Sequence, residues 1–161
     1  MRLTIAFALL VAACASPPVD QRFVTPEATV STLLSAYDLA DVPQAEIRAR
    51  LAARDRFPLR DRDTYEACFA DLGSDPSAEG LAGFVVGALA ASKDELTVRL
   101  EGERAIVSPR EGVEIVLRRE DDGAYRIVLA RSVPAEVRTR IVAVASHAET
   151  RLGRGLPTDE R

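Results

Sequence analysis

The sequence predicts an α+β fold in which N-terminal helices precede a four-stranded antiparallel meander and a last helix packs on the sheet. Two observations lead to this prediction. Apolar residues recur with a helical period up to about residue 91, with a period of two over residues 96–129, and with a helical period again after Pro134. The 161 residues, 47% of them hydrophobic, suffice for one domain with a substantial core.

Four helices are predicted before the sheet. They are expected from Thr25 to Tyr37, from Pro43 to Ala53, from Thr64 to Leu72 and over residues 77–91. Thr25 can cap the first helix, and Pro26 suits its first turn. Gly80, Gly83 and Gly87 lower the helix propensity of the fourth segment. Their spacing favours a face on which two helices approach closely.

Four strands are expected after residue 95, because apolar and polar residues alternate there. The residues predicted to face inward are Leu96, Val98, Leu100, Ala105, Val107, Val113, Ile115, Leu117, Tyr125, Ile127 and Leu129. Short turns separate these runs, and Asp121-Asp122-Gly123 is a strong hairpin signal. Strands joined by such short turns must run antiparallel to one another.

A last helix is predicted to begin near Pro134. Its apolar stripe consists of Val137, Ile141, Val144, Ala148 and Leu152. The second face of the sheet is also partly apolar, because Ile106, Val116 and Val128 lie on it, and an open apolar face is a liability in water. We therefore expect the last helix to cover this face, with a second subunit as the alternative.

The first residues of the chain carry the most specific motif. An apolar run from Leu3 to Ala13 follows Arg2 and ends in Val11-Ala12-Ala13-Cys14. This stretch resembles the signal peptide and lipobox of bacterial lipoproteins. The run is too short to span a bilayer, which needs about 20 residues as a helix. An ordinary signal peptide with an Ala-x-Ala-like cleavage site is the alternative.

The lipoprotein resemblance implies a domain organisation and a location. Residues 1–13 would be removed, and Cys14 would become a lipidated N-terminus carrying acyl chains such as palmitate. Residues 14–24 would form a tether, 25–153 a single domain, and 154–161 a frayed polar tail. Ala15 stands where Asp would favour the inner membrane, so the resemblance implies an outer-membrane lipoprotein facing the periplasm.

The element order also resembles that of the NTF2-like (SnoaL-like) superfamily. Helices followed by a four-stranded meander, and the opening helix over residues 25–37, carry this resemblance. It implies a curved sheet that wraps the helices into a cone with a pocket at its wide end. The family's usual strand between the second and third helices is not clear here, although residues 57–59 are a candidate. The last helix is not part of the family's usual core.

Few residues in the sequence suggest chemistry. His147 is the only histidine, so two histidines of one chain cannot share a metal. Asp61 and Asp63 flank Arg62, which favours an exposed strip of ion pairs over a metal site. The net charge of −4 argues against a nucleic-acid partner. We assign no catalytic, cofactor-binding or metal-binding residue.

Cys68 has no partner within its own chain once Cys14 is acylated. Its spacing from Tyr65, Phe69 and Leu72 places it on an apolar helix face. A buried, inert thiol is the favoured interpretation, and an intermolecular disulfide is the alternative.

Together these observations predict a membrane-anchored envelope lipoprotein with a non-enzymatic binding or scaffold role. Its partners would be membrane lipid, through Cys14, and an envelope protein or small ligand of unknown identity. The alternative is a small-ligand-binding, or less favoured catalytic, pocket of the NTF2-like kind.

Overall fold

A computed structural model describes residues 18–74, 76–110 and 112–153 and confirms the α+β prediction. A 3₁₀ turn at Gln21–Phe23 precedes the first helix. The helices are α1 (Pro26–Ser35), α2 (Gln44–Ala52), α3 (Arg62–Ala67), α4 (Pro76–Ala91), α5 (Leu129–Ser132) and α6 (Ala135–Gly153). The strands are β1 (Thr97–Glu101), β2 (Arg104–Arg110), β3 (Val113–Arg119) and β4 (Tyr125–Ile127).

The four strands form the predicted meander. They lie in the order β1-β2-β3-β4, and each is antiparallel to its neighbour. Val107 lies opposite Ile115, and Leu117 lies opposite Ile127. All four side chains are fully buried, so the predicted alternation places the apolar side of the sheet in the core.

The core lies between this inner face and helices α1 and α4, which also contact each other. The Thr25 side chain caps α1 as predicted, since its hydroxyl oxygen accepts from the backbone N–H of Ala28 at 3.1 Å. Fully buried side chains from every part of the domain meet there: Leu33, Leu39, Ile47, Tyr65, Val85, Leu89, Val107, Ile115, Leu117 and Ile127.

The folded domain begins before residue 25. Asp20 caps the 3₁₀ turn by accepting from the backbone N–H of Arg22 at 3.0 Å. Phe23 is only 2% exposed and belongs to the core. The last residues of the expected tether are therefore part of the domain.

The third helix is shorter than predicted because its last residues pair with the sheet instead. It ends at Ala67, and Phe69 forms a parallel bridge with Ile127. The backbone N–H of Ile127 donates to the carbonyl of Cys68 at 2.8 Å, and that of Ala70 donates to the carbonyl of Ile127 at 2.9 Å. Chain from the end of α3 thus covers the outer edge of β4.

The fourth strand ends at Ile127, two residues earlier than expected, and α5 follows it. Both oxygens of the Asp71 carboxylate accept from backbone N–H groups at the start of α5, from Leu129 at 2.7 Å and Ala130 at 3.0 Å. This cap comes from a residue distant in the sequence, which local patterns could not indicate. Residues 57–59, the candidate for an additional strand, form no strand in the described chain.

The last helix lies near the sheet, but its main packing partner is α4. Val137 packs against the core, and Ile141 faces Gly80. The predicted apolar stripe is therefore only partly used, since Val144 is 71% exposed. The side chains of Ala148 and Leu152 lie outside the described part of the chain.

The α5 helix contacts β3 beyond the end of β4, through backbone groups at the edge of that strand. There the hydroxyl of Ser132 accepts from the backbone N–H of Val116 at 3.0 Å. This hydroxyl also donates to the carbonyl of Val128 at 2.7 Å.

Across the described residues, no helix is both long and apolar enough to cross a membrane.

Candidate functional site

A groove of about 1180 Å³ runs along α4 and is here called the α4 groove. Its opposite side is formed by the turn between β2 and β3 and by the junction of α5 with α6. Its charged lining residues are Arg48, Glu95, Arg110, Glu114 and Arg131, and Gly83 and Gly87 lie along α4.

Two glycines of α4 leave the floor of this groove without side chains. A Cβ atom added at Gly83 or Gly87 would meet no atom within 4 Å. A Cβ atom at Gly80 would lie 2.6 Å from Cγ2 of Ile141. The predicted close-packing face therefore exists only at Gly80, and the other two glycines open onto the groove.

One wall of the groove carries a carboxylate held in place on both oxygens. Glu95 Oε1 accepts from Nε2 of Gln44 at 3.0 Å, and Oε2 accepts from Nη2 of Arg48 at 3.0 Å. The Gln44 hydrogen bond, followed by that of Arg48, lowers the pKa of Glu95 below its usual value. Nε of Arg48 also donates to the carbonyl of Ala91 at 2.6 Å. These hydrogen bonds connect α2 to the end of α4 and the segment after it.

The opposite wall carries two exposed guanidinium groups, those of Arg110 and Arg131. Neither forms a hydrogen bond or an ion pair within residues 18–74, 76–110 and 112–153. A guanidinium offers several donors in a planar fork, which suits a carboxylate or another anion. The α4 groove can therefore bind a segment that brings negative charge to this wall.

A second concavity of about 480 Å³, here called the apolar pocket, lies between α1 and the start of β1. Val30, Leu34, Leu96 and Val107 supply apolar lining. At its rim, Nζ of Lys93 donates to the carbonyl of Ala40 at 2.5 Å. This size and lining suit a small apolar ligand.

Cys68 is fully buried and free, as the favoured interpretation predicts. Its Sγ donates to the carbonyl of Thr64 at 3.2 Å. Burial raises the pKa of this thiol to about 12. Cys68 is therefore a core residue, and the disulfide alternative is wrong for this conformation.

Asp61 and Asp63 do not form a site. Asp61 caps α3, where Oδ1 accepts from the backbone N–H of Thr64 at 3.0 Å, and the hydrogen bond to Thr64 lowers its pKa. Asp63 is exposed, and Arg62 pairs with Glu79 at 2.8 Å. Arg60 and Arg62 form the expected surface ion pairs, but with Asp38, Glu66 and Glu79 rather than with the two aspartates.

The remaining candidates contribute no cluster. His147 is exposed on α6, with Nδ1 2.8 Å from the carbonyl oxygen of Ala143. Within the part of the chain that the structure describes, no three His, Cys, Asp or Glu side chains come close enough to hold a metal ion. Cys14 lies outside the described residues.

No protein-family model matches the chain, and no curated protein or solved structure is significantly similar to it.

Proposed function

We propose that the protein is a bacterial envelope lipoprotein that is anchored through lipid on Cys14 and acts by binding. The observation that carries this proposal is the sequence Val11-Ala12-Ala13-Cys14 at the end of a short apolar run. Two or three acyl chains on Cys14 would hold the protein on the membrane, since each buried methylene contributes about 0.8 kcal/mol. Ala15 favours the outer membrane, with the domain facing the periplasm.

The α4 groove is the proposed binding site. Its volume of about 1180 Å³ exceeds the range of about 300–1000 Å³ usual for small-molecule pockets. Gly83 and Gly87 allow a bound backbone to approach α4 closely. The guanidinium groups of Arg110 and Arg131 have no ion-pair partner among the described residues and can bind a carboxylate. These features favour a segment of an envelope protein that carries carboxylates.

The anchor is tested by substituting the cysteine. Wild-type protein expressed in a Gram-negative host should lose residues 1–13 and carry acyl groups on Cys14, as intact-protein mass spectrometry would show. Cys14→Ser should accumulate as the full-length precursor, whereas the control Ser16→Ala should be processed normally. A Cys14→Ser protein that is cleaved and released into the aqueous phase would refute the lipid anchor.

The groove is tested by crosslinking in living cells. A photoreactive residue at Arg131 should give an adduct with an envelope protein, and one at the exposed Glu46 of α2 should not. Gly87→Leu should abolish the Arg131 adduct, because the new side chain fills the floor of the groove. An adduct that persists unchanged in Gly87→Leu would contradict binding in this groove.

A small ligand in the apolar pocket is the second candidate function. The observation that favours it is the lining by Val30, Leu34 and Leu96 in a space of about 480 Å³ between helix and sheet. The NTF2-like resemblance implies a pocket at the wide end of a cone formed by the sheet and the helices. Native mass spectrometry after mild detergent extraction should then show an added mass, which Ser31→Phe at the pocket's lining should remove. A wild-type spectrum without added mass would count against this candidate.

A further inference from the structure

The two outer edges of the sheet differ in whether their backbone groups are hydrogen-bonded to the rest of the chain. The outer edge of β4 is covered, because the backbone of Ile127 exchanges hydrogen bonds with Cys68 and Ala70. The outer edge of β1 pairs with no strand among the residues that the structure describes. An open edge presents unpaired backbone donors and acceptors to another strand.

The turn after β1 determines which residues present these groups. Gly102 and Glu103 form a two-residue turn, closed by the pair Glu101 and Arg104. Gly102 has a φ of 61°, which suits the first central position of a type II′ hairpin turn. The closing pair of such a hairpin is hydrogen-bonded, and the pairs alternate along the strands. Val98 and Leu100 therefore direct their N–H and C=O groups away from β2.

The side chains of β1 add an unusual feature to this edge. Leu100 is 63% exposed, although it lies in a strand beside fully buried Ala105. On the opposite face, Nε of Arg99 lies 2.8 Å from Oε1 of Glu101. The edge therefore offers an apolar side chain on one face and both signs of charge on the other.

We propose that β1 pairs with β1 of a second copy of this chain, antiparallel and about a two-fold axis through Leu100. In this register, Leu100 lies opposite Leu100 of the second copy and the outward backbone groups of both residues bond each other. Arg99 of each chain lies opposite Glu101 of the other, so two ion pairs form by symmetry. The edge is thus complementary to itself.

The neighbouring register explains why the axis is placed at Leu100. An axis through Arg99 would place two arginines directly opposite each other, and like charges in that position are destabilising. An axis between two residues would bring the inner face of one copy to the outer face of the other. An axis through Val98 would place Arg99 opposite Thr97 and form no ion pair, so among these registers only the axis through Leu100 pairs Arg99 with Glu101 of the other copy.

The dimer is expected to be weak in dilute solution, because β1 has only five residues. If the proposed lipid anchor is correct, both copies are confined to the volume next to the membrane surface, and this raises their effective concentration. The strand pairing itself does not require the anchor. Failure of the anchor test would therefore leave this inference standing, and the reverse also holds.

Disulfide crosslinking of the full chain tests the proposal, both in cell membranes and with the purified protein at high concentration, where the anchor is not needed. Leu100→Cys should form a covalent dimer under mild oxidation, because residues of a hydrogen-bonded antiparallel pair lie about 5.5 Å apart at Cα, which suits a disulfide. Val144→Cys is the matched control, since Val144 is exposed on α6. The unsubstituted chain reports any crosslink through Cys14, and Cys68 is buried. Leu100→Cys without a dimer, or Val144→Cys with an equal yield, would overturn the proposal.

A charge reversal tests the register. Arg99→Glu in the Leu100→Cys background converts both intermolecular pairs into repulsive ones, and the crosslinked fraction should fall about fivefold. It also reverses the pairs of Arg99 with Glu101 and Glu114 of its own chain, so the folding of the variant is checked separately. Adding Glu101→Arg should restore it, because the two signs have been exchanged. Thermal melting of each variant verifies that the domain still folds. Pairing about Leu100 would be refuted if Arg99→Glu left the crosslinked fraction unchanged. It would also be refuted if adding Glu101→Arg did not restore that fraction.

Discussion

The contact between α4 and α6 can be tested with glycines of the same helix. Alanine is favoured over glycine in a helix interior by about 1 kcal/mol. Gly83→Ala should therefore stabilise the protein by about this amount, because its new Cβ atom would meet no atom within 4 Å. Gly80→Ala gains the same propensity but places its Cβ atom 2.6 Å from Cγ2 of Ile141.

The cost at Gly80 follows from the stiffness of its neighbour. Ile141 is β-branched and has one strongly preferred rotamer in a helix, so its methyl group cannot turn away freely. Overpacking of this kind costs about 1–3 kcal/mol. Both variants gain the same helix propensity, so they differ only in the overpacking. Gly80→Ala should therefore be less stable than Gly83→Ala by about the same 1–3 kcal/mol.

Urea unfolding followed by circular dichroism measures this difference. In the Ile141→Ala background, the clashing methyl group is gone. Adding Gly80→Ala to that background should therefore no longer lower the free energy of unfolding. The reasoning would be refuted if Gly80→Ala stabilised the protein as much as Gly83→Ala. In that case α6 would not pack on α4 at this point.

Three further predictions concern the core, the start of the domain and acid sensitivity. Alkylation of Cys68 should be slow in the native protein and fast in denaturant, and Cys68→Ser should cost about 1–3 kcal/mol in urea unfolding; rapid native labelling would contradict its burial. Phe23→Ala should cost about 3–5 kcal/mol, whereas an unchanged transition would mean that the domain begins later. The folded pKa of Glu95 lies below its unfolded value of about 4.3, so its contribution is present above that value and is lost as the pH falls through the lower, folded pKa. Glu95→Gln should therefore reduce the loss of stability on acidification, and an identical pH profile would contradict the Gln44 and Arg48 contacts.

The sequence predicts the sheet well because its alternation is regular and its turns are short. A strand of the meander can pair only with the strand before or after it, so local pattern and topology coincide. The same holds for α1, where Thr25 and Pro26 mark the start that the structure has. Local signals were sufficient wherever the decisive contacts are local.

The errors lie where distant residues decide the outcome. The segment after Ala67 has a helical pattern, yet Phe69 joins the sheet at Ile127 and Asp71 caps α5. These partners are nearly sixty residues away, and no local propensity reports them. The same limitation applies to α6, whose stripe suits α4 as well as it suits a sheet face.

The α4 groove could be predicted only in part. The spacing of Gly83 and Gly87 marked an unusual helix face, but a glycine face looks the same in sequence whether another helix or a ligand approaches it. Glu95 and Arg48 lie 47 residues apart, so their pairing carries no sequence motif. Arg110 and Arg131 become notable only once the fold brings them to one wall.

The covered edge of β4 also limits how far copies of this chain could assemble through their sheets. A sheet with two open edges can add copies at both sides and grow without end, as fibres do. Here the chain around Cys68 and Ala70 occupies one edge, so among the strands that the structure describes only β1 has an edge that can accept another strand. Association through that edge uses the same surface on both copies and is complete at two. The short bridge after α3 thus limits assembly through the sheet to two copies.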